Sequence, residues 1–276
     1  MRLVSFPGPA VLTLVPLALY VAAAVLLARE AKARVEARFA PSYFVALAGF
    51  AAHAWILFSA IRSETGGFSL AITDSASLVG FVVAGSALAA MTSQRLAAMP
   101  APLFVLSGLL AVGTGLVTGF REIHGPTQWE ITAHITMAAL AAGWLAAAAI
   151  LVVLLTWQDQ RIRARQPVAA LAWLPPMETV ETWVFRALFG GFTVLTLALV
   201  TGFFFVYDPS EQRLVHKIAL AVVAWTIFGV LLYGRWRYGW RGRKALRFTV
   251  GGFTVLALAY FGSKFVLEVI LGQHWG

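Results

Sequence analysis

The 276-residue chain contains no cysteine. Disulfides, thiolate metal sites, iron–sulfur clusters and thiol nucleophiles are therefore excluded from whatever this chain does by itself. The redox compartment stays open, because a chain without thiols is indifferent to it. Charge is also scarce: only 12% of residues are Asp, Glu, Lys or Arg, while 60% are hydrophobic. Soluble domains carry about 25% charged residues, so an ordinary water-soluble fold is excluded. Several catalytic signatures are missing as well. There is no HExxH, no glycine-rich phosphate loop after a strand, and no Ser/His/Asp set at one depth. Three well-placed zinc ligands are hard to assemble from the five histidines and the nearby carboxylates.

What the chain has in abundance is long apolar runs. Eight are long enough to cross a bilayer, which takes about 20 residues each: 9–28, 41–61, 76–93, 101–120, 130–156, 182–206, 214–234 and 248–271. The first is too long for a signal peptide core, and the charged REAKAR after it acts as a stop. The 24 Gly and 11 Pro fit membrane helices, which tolerate both. The expected fold is thus all-α, a polytopic membrane helix bundle of about eight transmembrane helices forming a single domain over 1–276. The longest connection on its side of the membrane, Gln158 to Thr182, is broken by Pro167 and the Pro175-Pro176 pair, and Leu171 to Leu174 suits the membrane surface.

The net charge of +9 would suggest nucleic acid in a soluble protein. Here the basic residues sit in short loops between apolar runs, and the positive-inside rule explains them without nucleic acid. One set of loops carries Arg29, Lys32, Arg34, Arg38, Arg95, Arg161, Arg163, Arg165, Arg235, Arg237, Arg241, Arg243, Lys244 and Arg247. The other carries only Arg2, Arg62, Arg121 and Arg213. That imbalance predicts the first set in the cytoplasm and both termini outside, in the periplasm of a bacterial inner membrane. The segment RWRYGWRGR (235–243) reads as an anchor, with aromatics at the headgroups and arginines on anionic lipid; a docking surface is the other reading.

Histidine is the commonest metal-binding side chain and a usual axial ligand of haem iron. His134 follows Glu130 by four residues and His216 follows Arg213 by three, so both lie roughly 4 to 6 Å inside outward-facing helix ends. Two histidines at nearly one level suit one iron with two axial imidazoles, the propionates turned to the water. Arg121, Arg213 and Lys217 are the basic groups at that rim. Glu130, one turn before His134, can accept its second ring N–H. The alternative is that both histidines merely hydrogen-bond backbone or each other near the interface. His53, roughly 13 Å deep, is either a buried histidine bonding a neighbouring helix or part of the same pocket. Lys264 and Glu268, four apart, form a mutual ion pair or supply a cation to a propionate.

The runs LPPMETVETWVFRALFGGFTVLTLALVTG (174–202) and HKIALAVVAWTIFGVLLYGR (216–235) resemble the CcsA/CcmC cytochrome c assembly family. YGWRGRKA and LAYFGSK are similar to its CcsA-like branch, which includes YpjD and HemX. The resemblance implies a haem-handling core over 129–271 at the outer face of the membrane, with non-covalent b-type haem and His134 in AHITMAAL as an external ligand. Two departures stand out. The tryptophan-rich WWD segment expected after Gly202 is reduced to FFFVYDPSEQ, and no histidine stands near Phe261-Gly262, so His216 would replace the second external ligand. Tyr233 stands where the family has an intramembrane histidine. The expected function is haem handling or cytochrome c maturation, with haem, the lipid bilayer and other maturation or haem-biosynthesis proteins as partners. With no thiols and a reduced WWD segment, the chain does not read as a lyase by itself. Two other readings stay open: a non-catalytic scaffold or regulator of haem biosynthesis, as a HemX likeness implies, and a small-molecule or ion transporter.

Overall fold

A computed structural model describes residues 12–33, 40–61, 72–92, 99–114, 128–165, 175–205 and 212–262. Among these, all regular structure is helical: α1 (Leu14–Lys32), α2 (Pro41–Ile61), α3 (Ile72–Met91), α4 (Ala101–Val112), α5 (Gln128–Arg163), α6 (Met177–Phe205), α7 (Gln212–Tyr238) and α8 (Arg243–Ala257), the last continuing as a π-helical stretch, Leu258–Gly262. Each of the eight apolar runs thus holds one helix. Six of them (α1, α2, α3, α5, α6 and α7) are long and apolar enough to cross a membrane.

The expected ends move where local capping outweighs hydropathy. Apolar character fades at Thr156, yet α5 continues to Arg163. Arg163 reaches Asp159 at 2.8 Å, Arg161 lies over the Trp157 ring, and Gln158 donates to the Pro175 carbonyl at 3.1 Å. Those bonds let the helix run on into polar surroundings. α6 starts at Met177 rather than 182, because the Pro176 carbonyl accepts the N–H groups of Thr179 and Val180 at 2.9 and 3.2 Å. Glu178 in the first turn complements the helix dipole. Leu171 to Leu174 lies outside the described residues.

The described residues divide into two compact units, 12–114 and 128–262. In the first, α1 packs on α2 and α4, and α3 completes the ring by packing on both. In the second, α5 packs on α6 and α8, and α7 on α6 and α8, so α5 and α7 stand diagonally across a four-helix arrangement. Large apolar side chains face outward in both units (Trp55, Phe58, Phe189, Phe204), whereas Ser42, His53, Ser77, Ser107 and Thr249 are buried. Soluble proteins show the reverse. Lipid solvates apolar surface as well as a core does, so helices in it associate through close packing and polar contacts rather than hydrophobic burial.

Candidate functional site

In the first unit a chain of polar contacts crosses four helices. Thr114, just past the end of α4, donates to Ser77 on α3 at 2.6 Å; the Ser77 hydroxyl meets His53 Nε2 on α2 at 2.9 Å; His53 Nδ1 meets the Tyr20 hydroxyl on α1 at 3.4 Å. The Thr114 hydroxyl also reaches the Ala111 carbonyl at 2.8 Å, so the relay is tied to the backbone at that end. His53 is fully buried, with the Phe81 ring edge-on at 5.6 Å and Phe104 stacked on Tyr20. Both of its ring nitrogens are engaged, by Tyr20 on α1 and Ser77 on α3.

The second unit is set by the face α6 turns to α5. Gly191 lies against Leu145 so closely that a Cβ there would come within 2.7 Å of Leu145 Cγ. Eleven residues on, Gly202 meets His134 in the same way: its Cβ would lie 2.7 Å from His134 Cε1. The imidazole is half-buried and lies on bare backbone. Its Nδ1 is 3.3 Å from Thr201 Oγ1. Thr201 in turn lies 3.0 and 3.1 Å from the Leu197 and Ala198 carbonyls of its own helix, which take the hydroxyl proton. The other face of α6 repeats the device. Trp225 on α7 donates its indole N–H to Thr196 at 2.8 Å while Thr196 bonds the Phe192 carbonyl, and Phe192 stacks on Trp225.

These contacts place the residues expected at the haem rim. His134 lies within the first turns of α5, beside the last turn of α6. The acceptor expected from Glu130 is supplied at Nδ1 by Thr201; Glu130 Oε2 is buried and meets no partner among the described residues. Positions 213, 216 and 217 all open α7, at the end of the unit where α5 begins. Since Trp225 pairs with Thr196 and Gly229 faces Phe192, the antiparallel register puts position 216 roughly one turn nearer the helix end than the level of His134, about 5 Å. Counting from charged residues set the two level. The interlock of side chains on α6, not the helix starts, fixes the offset. Lys217 is half-buried. Arg121 and Lys264 lie outside the described residues.

At the opposite end of α7, Arg235 and Arg241 both reach Glu181 Oε1, at 2.5 and 3.1 Å, and Arg235 lies over the Phe185 ring. A turn through Gly239 and Gly242, both at positive φ, brings Trp240 back onto Gly234. Trp236 and Tyr238 project outward, as expected of an interfacial anchor. Among the described residues no group of three or more His, Asp or Glu side chains gathers to hold a bare metal ion. A haem needs less from the protein, since the macrocycle fills four positions and only axial ligands are required. His134, held at one nitrogen and seated in a notch that a single Cβ would fill, suits that demand.

Fold and site together define a polytopic, all-helical membrane protein with a histidine held at one end of a helix bundle. The family model described as cytochrome C assembly protein matches residues 10–271. The chain belongs to that family. It is 34% identical over 137 residues to the inner membrane protein YpjD of Escherichia coli K12, covering 50% of this chain and 52% of that one. It is 32% identical over 149 residues to an uncharacterised 28.8 kDa protein of Azospirillum brasilense, covering 53% and 55%. With the cytochrome c biogenesis protein CcsA of Prochlorococcus marinus it shares 30% over 98 residues, 32% of this chain and 29% of that one. The chain thus spans about half the length of the first two relatives, and less of CcsA. No solved structure matches it.

Proposed function

We propose that this protein handles haem at the outer face of a bacterial inner membrane, in cytochrome c maturation, by gripping the iron between His134 and His216. The observation that carries this reading is His134 itself. It is half-buried at a helix end, bonded by Thr201 at Nδ1 and backed by Gly202, which leaves Nε2 as the nitrogen for a ligand. A histidine fixed at one nitrogen is how proteins present the other to a metal. Membership of the cytochrome c assembly family, the name of the CcsA relative and the inner-membrane name of YpjD support the process and the compartment.

Haem would bring an iron with two open axial positions and two propionates. Lys217 and Arg213 at the start of α7, with Arg121 and Lys264, would pair those carboxylates. Without cysteine the chain can form no thioether of its own, and we assign it non-covalent haem of b-type, as membership of the family suggests. Glu130 Oε2, buried at the same end and without a partner among the described residues, suits a polar ligand or a bound water. We assign His53 to tying its own four helices, because iron would have to displace Tyr20 or Ser77 to reach it. Both termini are assigned to the periplasmic side from the charge imbalance. Partner proteins are other maturation or haem-biosynthesis factors.

The full chain purified in mild detergent should show a low-spin, six-coordinate haem spectrum. His134→Ala or His216→Ala should each give five-coordinate or lost haem at unchanged protein level. A double variant that keeps the wild-type low-spin spectrum would overturn the two-histidine site.

A further inference from the structure

We infer that Thr201 and Gly202 form a seat on α6 that sets the tautomer and the facing of His134, making Thr201 a positioning residue for the ligand. The consequence for haem rests on the reading above; the tautomer itself does not. A threonine hydroxyl has one proton and two lone pairs. Thr201 lies 3.0 Å from the Leu197 carbonyl and 3.1 Å from that of Ala198, and carbonyls only accept, so its proton is committed to its own helix. What it offers His134 Nδ1 at 3.3 Å is a lone pair, beside the Ala198 carbonyl, which also hydrogen-bonds the ring and can only accept. Nδ1 must then carry the ring proton, and the sp² lone pair is left on Nε2, where an axial metal bond forms.

Facing is fixed by the next residue. A Cβ at position 202 would lie 2.7 Å from Cε1, 3.3 Å from Nδ1 and 3.5 Å from Nε2, so any side chain there would push the ring off α6. Glycine lets the ring rest on the backbone, and Thr201 stops it turning over. The same helix treats the Trp225 indole in the same way through Thr196, but an indole has no second nitrogen to offer. The motif V-T-G, at the end of the run 174–202, is therefore the part of α6 that prepares His134.

The test has a haem-free arm and a haem-loaded arm, both on the full chain in detergent. In protein labelled with ¹⁵N-histidine, two-bond ¹H–¹⁵N correlation should report a single Nδ1–H tautomer for His134, assigned by its loss in His134→Ala. Thr201→Val, which keeps the shape and removes the hydroxyl acceptor while leaving the Ala198 carbonyl, should let the second tautomer appear, and Thr201→Ser should restore the single form. Loaded with haemin, Thr201→Val should bind on the order of 10-fold more weakly, the usual cost of losing a partner that orients a metal ligand. It should also raise the reduction potential, because an imidazole without its acceptor is a poorer donor to ferric iron. Thr201→Ser should rescue both, and Gly202→Ala should lose the low-spin spectrum. A His134 tautomer unchanged by Thr201→Val overturns the seat whatever the haem arm gives. A single tautomer abolished by Thr201→Val, in a protein whose haem spectrum ignores His134→Ala, would keep the seat and sink the haem reading instead.

Discussion

His53→Ala is the substitution on which the division between holding the fold and holding the cofactor can be worked out in numbers. In the wild type the imidazole fills a fully buried site and bonds Ser77 at 2.9 Å and Tyr20 at 3.4 Å. Interhelical hydrogen bonds in membranes contribute on average about 0.6 kcal/mol each, up to about 1.7. The long Tyr20 contact belongs at the low end, and the Ser77 contact higher, so the two together are worth roughly 1–2 kcal/mol. Ser77 keeps Thr114 as a partner at 2.6 Å, so little is added for an orphaned serine. The cavity beside Phe81 and Tyr20 costs more, since truncating a large core side chain to Ala takes about 2–5 kcal/mol. A destabilisation of about 3–7 kcal/mol is expected, and Ser77→Ala, which leaves the ring in place, should cost about 1 kcal/mol. Reversible unfolding in mixed micelles, followed by far-UV circular dichroism, measures both. The haem spectrum should be recorded per folded molecule and should be retained. Normal unfolding stability combined with loss of low-spin haem in His53→Ala would refute the reasoning and make His53 a ligand.

Three further outcomes are expected. A phosphatase fused after Gly276 should be active in the bacterial periplasm and one fused at Arg243 inactive, since fourteen basic residues lie on one set of loops and four on the other; the opposite pattern inverts the topology. Expressed as the only assembly factor, the protein should leave a CxxCH-bearing apocytochrome without covalent haem stain, because the tryptophans of a WWD segment are missing between Gly202 and His216; a stained cytochrome would show that they are dispensable. Glu181→Gln removes the carboxylate shared by Arg235 and Arg241 and should cost about 1 kcal/mol while making the 239–242 turn more open to protease, with no change in the haem spectrum; an unaltered cleavage rate would mean that the ion pairs do not hold the turn.

The number and kind of helices were legible in the residues, because lipid imposes a coarse requirement: about 20 apolar residues with every backbone group bonded within the helix. His134 was legible as a histidine near a helix mouth, and the side of the basic loops is an expectation from charge alone. Other features needed the tertiary structure. That α5 runs on to Arg163 and α6 starts at Met177 follows from bonds made by Gln158, Asp159 and the Pro176 carbonyl, to which hydropathy is blind. The pairing of His134 with Thr201 rather than Glu130 is a contact between residues 67 apart. Glu130 looked favourable because helical spacing puts it on the same face, but spacing describes one helix at a time. No periodicity within α5 can report which residue of α6 comes opposite, since that register is set by where Gly191 and Gly202 let the two helices close. The same holds for His53: its depth could be counted along the chain, but the engagement of both its nitrogens depends on Tyr20 and Ser77, which reach it only when four helices pack.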